Sequence, residues 1–391
     1  MLALASVIFV FGCSMGKNSV LDDAALSVDR ITPIIAENLA EPIPVKLTDG
    51  KYHLAYELIL SNPLRHKVTV NKIKISGNGK IIATLNRKAI AHKLKLVGAK
   101  KPTNVFQPGQ VGVLRIDLQF KNKKMIPETL KNTIFSVVDS KSRSMSNPDK
   151  FYKTTLVKVA GKDPVVIGPP LKGGRWIATG IGSKSGHRAT IMPINGNWKA
   201  AQRWAVDWLA CDKNNRMVNG KISSNKSYPQ YGREIIAVAD GVIVATTDGL
   251  PDLTPGVPPK NIQPEEAGGN HVIQRLGNGL YAFYAHMQPG SLKVKRGDKV
   301  TRGQTLGLLG NSGNTDAAHL HFQVMQGPAG LGSNGQPYVI DSFKLLGTIK
   351  APSKTMGFED IKQTLKIIPP GKNNLRRNEM PADLTVIEFP K

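Results

Sequence analysis

Gly269-Asn270-His271-Val272-Ile273-Gln274-Arg275-Leu276-Gly277-Asn278-Gly279-Leu280-Tyr281-Ala282-Phe283-Tyr284-Ala285-His286-Met287 places two apolar, β-prone runs on either side of a Gly-Asn-Gly turn. That arrangement predicts a β-hairpin, because Gly and Asn supply the positive φ a tight connection needs. The second run ends on a histidine. Downstream, His319-Leu320-His321 runs into Phe322-Gln323-Val324, again apolar and β-prone. On an extended chain alternate side chains share a face, so the two imidazoles would project together. Upstream, Asp207 is embedded in Trp204-Ala205-Val206-Asp207-Trp208. A carboxylate in such company needs a cation or hydrogen bonds to offset its loss of water. Either a metal ion or a salt bridge to an arginine, with Arg203 nearest, meets that need.

Five of the eight histidines lie between His187 and His321, inside this same stretch. Neutral imidazole is the commonest protein ligand of zinc, and open catalytic zinc sites combine histidine with a carboxylate. A strand-end histidine such as His286 suits a general acid, or a donor to a developing oxyanion, beside such a metal. Against that cluster, His53, His66 and His92 are isolated and read as ordinary strand or surface residues.

The rest of the chain extends the β pattern. In Val113 to Phe120 the residues Leu114, Ile116, Leu118 and Phe120 alternate with Arg115, Asp117 and Gln119, the period of a half-buried strand, and Tyr52 to Leu60 reads the same way. Turn signals at Asn62-Pro63, Gly77-Asn78-Gly79 and Gln107-Pro108-Gly109 punctuate residues 31–160 as in an immunoglobulin-like β-sandwich. With 391 residues, two domains are expected. The Pro/Gly cluster Gly168-Pro169-Pro170 to Gly173-Gly174 marks a linker over 161–174. A second β-rich domain follows over 175–345, and then a tail over 346–391. Phe358 to Leu365 is the one short helix expected there. Pro369-Pro370 and Pro381 predict that the remainder of the tail is extended and lacks a packed core.

At the other end, residues 1–30 open on an apolar run to Gly12, the pattern of an export signal or an N-terminal anchor. The Gly12-Cys13 step resembles a bacterial lipoprotein processing site. Cys13 and Cys211 are the two cysteines. Lipidation of Cys13 would leave no intramolecular disulfide. The balance of 53 Lys+Arg against 28 Asp+Glu, a net +25, favours an anionic partner. The positive residues are scattered and no nucleic-acid-binding motif accompanies them, so an anionic cell envelope is expected and specific nucleic acid is not.

Several blocks taken in order carry a family resemblance. They are Asp240-Gly241-Val242-Ile243, Gly269-Asn270-His271, Tyr284-Ala285-His286-Met287, Gly297-Asp298-Lys299-Val300 with Gly303-Gln304, Gly310-Asn311-Ser312-Gly313, and His319-Leu320-His321-Phe322. Over roughly Ala200 to Val324 the chain resembles the lysostaphin-type zinc endopeptidases. The resemblance implies an antiparallel β-sheet peptidase domain, zinc as cofactor and peptidoglycan as substrate. It implies Asp207 and His321 as metal ligands and His286 and His319 as catalytic histidines, and the apolar leader adds the expectation of an exported protein of the periplasm or outer envelope. The family's first ligand lies four residues before the aspartate, and here that position is Arg203, which cannot serve as a ligand. Either another residue takes its place, with His187 the nearest upstream candidate and His271 a second, or the domain is metal-free and binds or activates another wall hydrolase. A carrier domain is disfavoured because no tight hairpin presents a modifiable lysine, and a cytoplasmic phosphotransfer domain because of the export-like leader.

Overall fold

The computed structural model describes residues 32–139, 151–153, 156–183, 185–350, 361–371 and 374–391. The apolar leader and Cys13 lie outside the described residues, as does the start of the helix expected over Phe358 to Leu365. The protein is mainly β, as its alternating patterns require. No helix among the described residues is long and apolar enough to cross a membrane.

Ten elements position the site. They are β1 (Tyr52–Ser61), β2 (Val111–Phe120), β3 (Trp176–Thr179), α1 (Gly186–Ala189), β4 (Val206–Ala210), β5 (Asn270–Leu276), β6 (Tyr281–Met287), β7 (Leu320–Met325), β8 (Tyr338–Ile349) and β9 (Thr385–Glu388). The N-terminal part is a sandwich of two antiparallel sheets. In one, β1 lies between Ile35–Asn38 and β2, and β2 also pairs with Leu94–Leu96. The other is centred on the pair Lys67–Gly77 and Thr129–Asp139. Leu54, Tyr56, Leu58 and Leu60 of β1, with Leu114, Ile116 and Leu118 of β2, fill the space between the sheets against Ile73, Ile75 and Ile134. β1 is buried on its other face too, where Ala55 and Glu57 are covered by the C-terminal part.

The C-terminal part is built on one large sheet that runs, in order, Val165–Ile167, β8, β9, β3, β4, β7, β6, β5, Gly241–Thr247 and Lys299–Val300. The predicted hairpin is present: β5 and β6 pair antiparallel, and Gly279 turns the chain with φ +80°. Trp176, Trp208, Phe322 and Tyr338 are fully buried in the core. Burying aromatic side chains of this size makes a large share of the stabilisation, roughly 25 cal/mol per Å² of apolar surface.

Two expectations are corrected. The stretch read as a linker over 161–174 contributes Val165–Ile167, which pairs parallel with Tyr338–Ile340, and Leu171 is fully buried. The tail read as lacking a packed core supplies Leu375–Glu379 and β9 to the main sheet, and Met380, Val386, Ile387 and Phe389 are buried. Pro369, Pro370 and Pro381 stand in the connections, where no ladder hydrogen bond is needed, so they do not stop pairing on either side.

Candidate metal and catalytic site

β4 and β7 lie side by side, and their antiparallel register sets Asp207 directly opposite His321. Along β4, Val206, Trp208 and Ala210 face the core while Asp207 and Leu209 face the other way, onto a cleft of about 990 Å³. The alternation visible in the sequence thus turns the carboxylate toward the cleft. His321 Nδ1 lies 2.9 Å from Asp207 Oδ1, and its Nε2 is 3.1 Å from Gln323 Oε1.

His187 completes the cluster. It sits on the single turn α1, in the connection between β3 and β4, and its Nε2 lies 3.1 Å from Asp207 Oδ2. The ligand atoms of His187, Asp207 and His321 all lie within 4.8 Å of one another. Gly180 makes room for the ring: it has φ +82°, and a Cβ there would come within 2.4 Å of His187 Nδ1. His271, the other candidate for this position, is elsewhere. Its Nδ1 is bonded to the Gly269 carbonyl at 2.8 Å, its ring packs against Phe283, and it lines the cleft beside the cluster.

His286 and His319 flank the cluster, with ring centroids 4.6 Å apart. His286 Nδ1 is 2.7 Å from the Ser312 carbonyl, and His319 Nδ1 is 2.8 Å from the Ala317 carbonyl. A carbonyl only accepts, so each Nδ1 carries a proton and donates it, and His319 Nε2 lies 3.4 Å from Asp207 Oδ1. His286 has a left-handed backbone, φ +63°, a conformation that costs of order 1–3 kcal/mol in a side-chain-bearing residue. Its N–H donates to Gly268 O at 2.9 Å and its carbonyl accepts from Gly310 N at 3.0 Å, which holds that turn. The Gly269 and Gly310-Asn311-Ser312-Gly313 motifs support it from behind. A Cβ on Gly269 would lie 2.2 Å from Ser312 O, so the two loops approach this closely only because Gly269 has no side chain.

Burial acts against the charge on Asp207, but the imidazoles of His187 and His319 outweigh it and hold the carboxyl well below the usual carboxylate range. Burial lowers all the neighbouring rings. For His187 and His319 the Asp207 carboxylate reverses the effect, and both end above the ordinary histidine value. His321 ends below it, burial prevailing over Asp207, and His286, buried and beside His319 and His321, ends well below. Among the described residues no arginine or lysine forms an ion pair with Asp207. Two imidazoles and a carboxylate, with no permanent cation between them, are the donor set of an open zinc site.

The alternative of an arginine salt bridge at Asp207 is therefore overturned. Arg203 is buried, at 3% exposure, and points away from the cleft: its Nη1 donates to Glu57 Oε2 of β1 at 2.6 Å. Sequence reasoning missed Glu57, Gln323, Ser312 and Thr315, whose Oγ1 is 3.1 Å from His319 Nδ1. It also missed Asp383, which accepts from Ile181 N at 3.3 Å and whose carboxyl burial pushes up to about 6. Only Ser312 carried a local signal, its place in the Gly-Asn-Ser-Gly block.

The chain is similar to the peptidoglycan DD-endopeptidase ShyA of Vibrio cholerae, at 30% identity over 133 residues, which is 32% of this chain and 27% of that protein. It is 29% identical over 108 residues to the peptidoglycan DD-endopeptidase ShyC of the same organism, covering 28% of this chain and 22% of that one. The chain spans about a quarter of the length of these curated relatives. The catalytic domain of lysostaphin from Staphylococcus simulans is 23% identical, with 37% of this chain and 80% of that one covered, at a TM-score of 0.23, too loose a likeness to weigh. Residues 226–338 match peptidase family M23, a segment that includes His286, His319 and His321 but begins after His187 and Asp207. The C-terminal half of the chain therefore contains a peptidase family M23 domain.

Proposed function

We propose that the protein is a zinc-dependent endopeptidase that cleaves peptide bonds in peptidoglycan. One observation carries the reading: His187, Asp207 and His321 converge at the cleft beside His286 and His319, in a chain whose M23 segment supplies three of the five. The two Vibrio relatives, both named as peptidoglycan DD-endopeptidases, support the substrate class. The metal-free regulator rested on Arg203, and with its guanidinium bound to Glu57 that support is gone.

His187, Asp207 and His321 would hold the zinc. Bound there, zinc supplies Lewis acidity that polarises a carbonyl and activates water near neutral pH. Gln323 fixes the orientation of His321 through its second nitrogen, as outer-shell partners of metal-ligating histidines do. Ser312 and Ala317 hold the Nδ1–H of His286 and His319, so proton transfer falls to Nε2 of each ring, which on His319 also faces Asp207 Oδ1 at 3.4 Å. Between them the two rings can take a proton from the attacking water and return one to the leaving amine. The cleft walls, among them Phe283 and the turn at Asn195, limit the water around the reacting atoms.

The same reading makes the protein an exported one, in the periplasm or outer envelope, with Cys13 as its lipid anchor. The net +25 would keep it against an anionic envelope, an attraction screened beyond about 8 Å at physiological salt. It also makes the N-terminal sandwich an immunoglobulin-like module. Metal analysis of the purified protein, followed by digestion of peptidoglycan with and without chelator, tests the proposal. One zinc per chain and chelator-sensitive release of peptides are expected. Protein that is free of metal after zinc loading, or digestion indifferent to chelator, would sink it.

A further inference from the structure

The residue that breaks the family's ligand pattern has a defined partner. Arg203 lies four residues before Asp207, and Arg188 is adjacent to His187, so two of the three residues of the cluster have an arginine close to them in sequence. Both arginines converge on one carboxylate. Glu57 Oε2 accepts from Arg203 Nη1 at 2.6 Å, and Glu57 Oε1 accepts from Arg188 Nη1. Glu57 is fully buried, and the two guanidinium side chains are 3% and 5% exposed.

The remaining donors of Arg188 are also engaged. Its Nε donates to Asp117 Oδ1 of β2 at 2.8 Å, and its Nη2 donates to the carbonyls of Tyr56 at 3.0 Å and Ile116 at 3.2 Å. Arg203 Nε is 3.3 Å from the Gly335 carbonyl in the C-terminal part. Around this polar centre, Val113 of β2 packs with Ile191 and Ala200, while Ile59 and Trp198 lie against them. The His187 connection is thus held between the sandwich and the catalytic sheet. Its outer hairpin, Met192–Ile194 with Asn197–Lys199, continues into the wall of the cleft at Pro193, Ile194 and Asn195.

His187 itself needs such support. It lies on one helical turn, too short to fix a side chain on its own, and no neighbouring strand sets its register as β7 sets that of Asp207. In some proteins buried, hydrogen-bonded ion pairs specify one geometry even where their net stabilisation is small.

We propose that Glu57 is a positioning residue for the metal site: through Arg188 and Arg203 it holds the His187 and Asp207 segments in their ligating arrangement, so the zinc site is complete only with the N-terminal sandwich docked. The inference rests on the zinc reading above. It also explains why the family's histidine position carries arginine: the ligand has moved to the preceding connection, and the vacated position ties the two halves together.

The test is zinc competition against a chromophoric chelator on the full chain, with far-UV circular dichroism and melting measured alongside. Glu57→Gln is expected to bind zinc 10- to 100-fold more weakly than wild type, the range found when outer-shell partners are lost. Its kcat on peptidoglycan should fall while KM stays within about twofold, since the cleft walls that bind the substrate remain. Because one broken buried pair can unfold a protein, the triple replacement Glu57→Leu, Arg188→Met, Arg203→Met provides a second route. Apolar substitution of a whole buried ionic cluster commonly preserves folding, and this variant too should be folded yet weak for zinc. Val70→Ala, in the sandwich core, should lower the melting temperature and leave zinc affinity unchanged. Wild-type zinc affinity in folded Glu57→Gln, or in the triple variant should Glu57→Gln not fold, overturns the proposal. A wild-type chain that takes up no zinc removes the site itself, and that result is read before any variant is made.

Discussion

The site has two halves built by different means. Asp207 and His321 are cross-strand neighbours in the middle of a sheet, where a whole ladder of backbone hydrogen bonds fixes their spacing. His187 stands on a lone turn in a connection, pinned by side chains from another part of the chain. The strand-built half tolerates local damage because its geometry is shared among many bonds. The connection-built half depends on a few groups, and substitutions that never touch a reacting atom should reach it.

The comparison can be broken most directly at Asp207. Asp207→Ala removes the carboxylate that both halves share, and peptidoglycan digestion should fall by about 10³-fold or more, with zinc lost from the purified protein. Far-UV circular dichroism should be unchanged, since the sheet does not need that side chain.

Gly180→Ala probes the connection-built half alone. The new methyl group would have to displace the His187 ring and sit on a left-handed backbone. Zinc affinity is expected to drop about 10- to 100-fold, measured by chelator competition, at a stability loss of about 1–3 kcal/mol in urea unfolding. The equivalent affront to the strand-built half, Leu209→Ala on the cleft side of β4, should leave zinc affinity within about threefold.

A pH effect sharpens the contrast further. Asp383 is bound to the backbone at Ile181, next to the Gly180 that accommodates His187, and its carboxyl is pushed up to about 6. The folded protein therefore holds this proton more tightly than the unfolded chain. The associated stability is fully present below about pH 4, is lost as pH rises through about 6, and stays lost at neutral pH. Asp383→Asn should raise stability at pH 7.5 by about 1–2 kcal/mol and leave it unchanged at pH 4, as read from urea titrations at the two pH values.

The smallest effect is expected where an ion pair lies on the surface. The Arg302 and Asp341 side chains pair but are 52% and 28% exposed, so Arg302→Ala should change the unfolding free energy by less than about 1 kcal/mol. Set beside Glu57→Gln, it separates a charge pair that positions from one that only decorates.

What could be read in the sequence follows the same division. The hairpin at Asn270–Met287, the shared face of His319 and His321 and the apolar setting of Asp207 are local: a period of two, a Gly-Asn-Gly turn and the immediate neighbours are enough to find them. Long-range partners leave no such trace. Glu57 sits in a strand whose alternation reads as half-buried, and nothing near it announces two arginines more than a hundred residues away. His187 could be nominated only by proximity and by elimination of Arg203. The tail failed for a different reason: Pro369-Pro370 and Pro381 were read as excluding a packed core, when they mark only the gaps between short strands that pair with distant partners.

The place of β9 carries a consequence for synthesis. Residues 385–388 lie between β3 and β8, and Phe389 packs on Trp208 at 5.1 Å between ring centroids. Until the ribosome has made them, β3 presents a bare edge one strand away from Asp207. The sheet beside Asp207 therefore closes only when residues 385–388 have paired on both sides, and until then β3 carries an unpaired, adhesive edge.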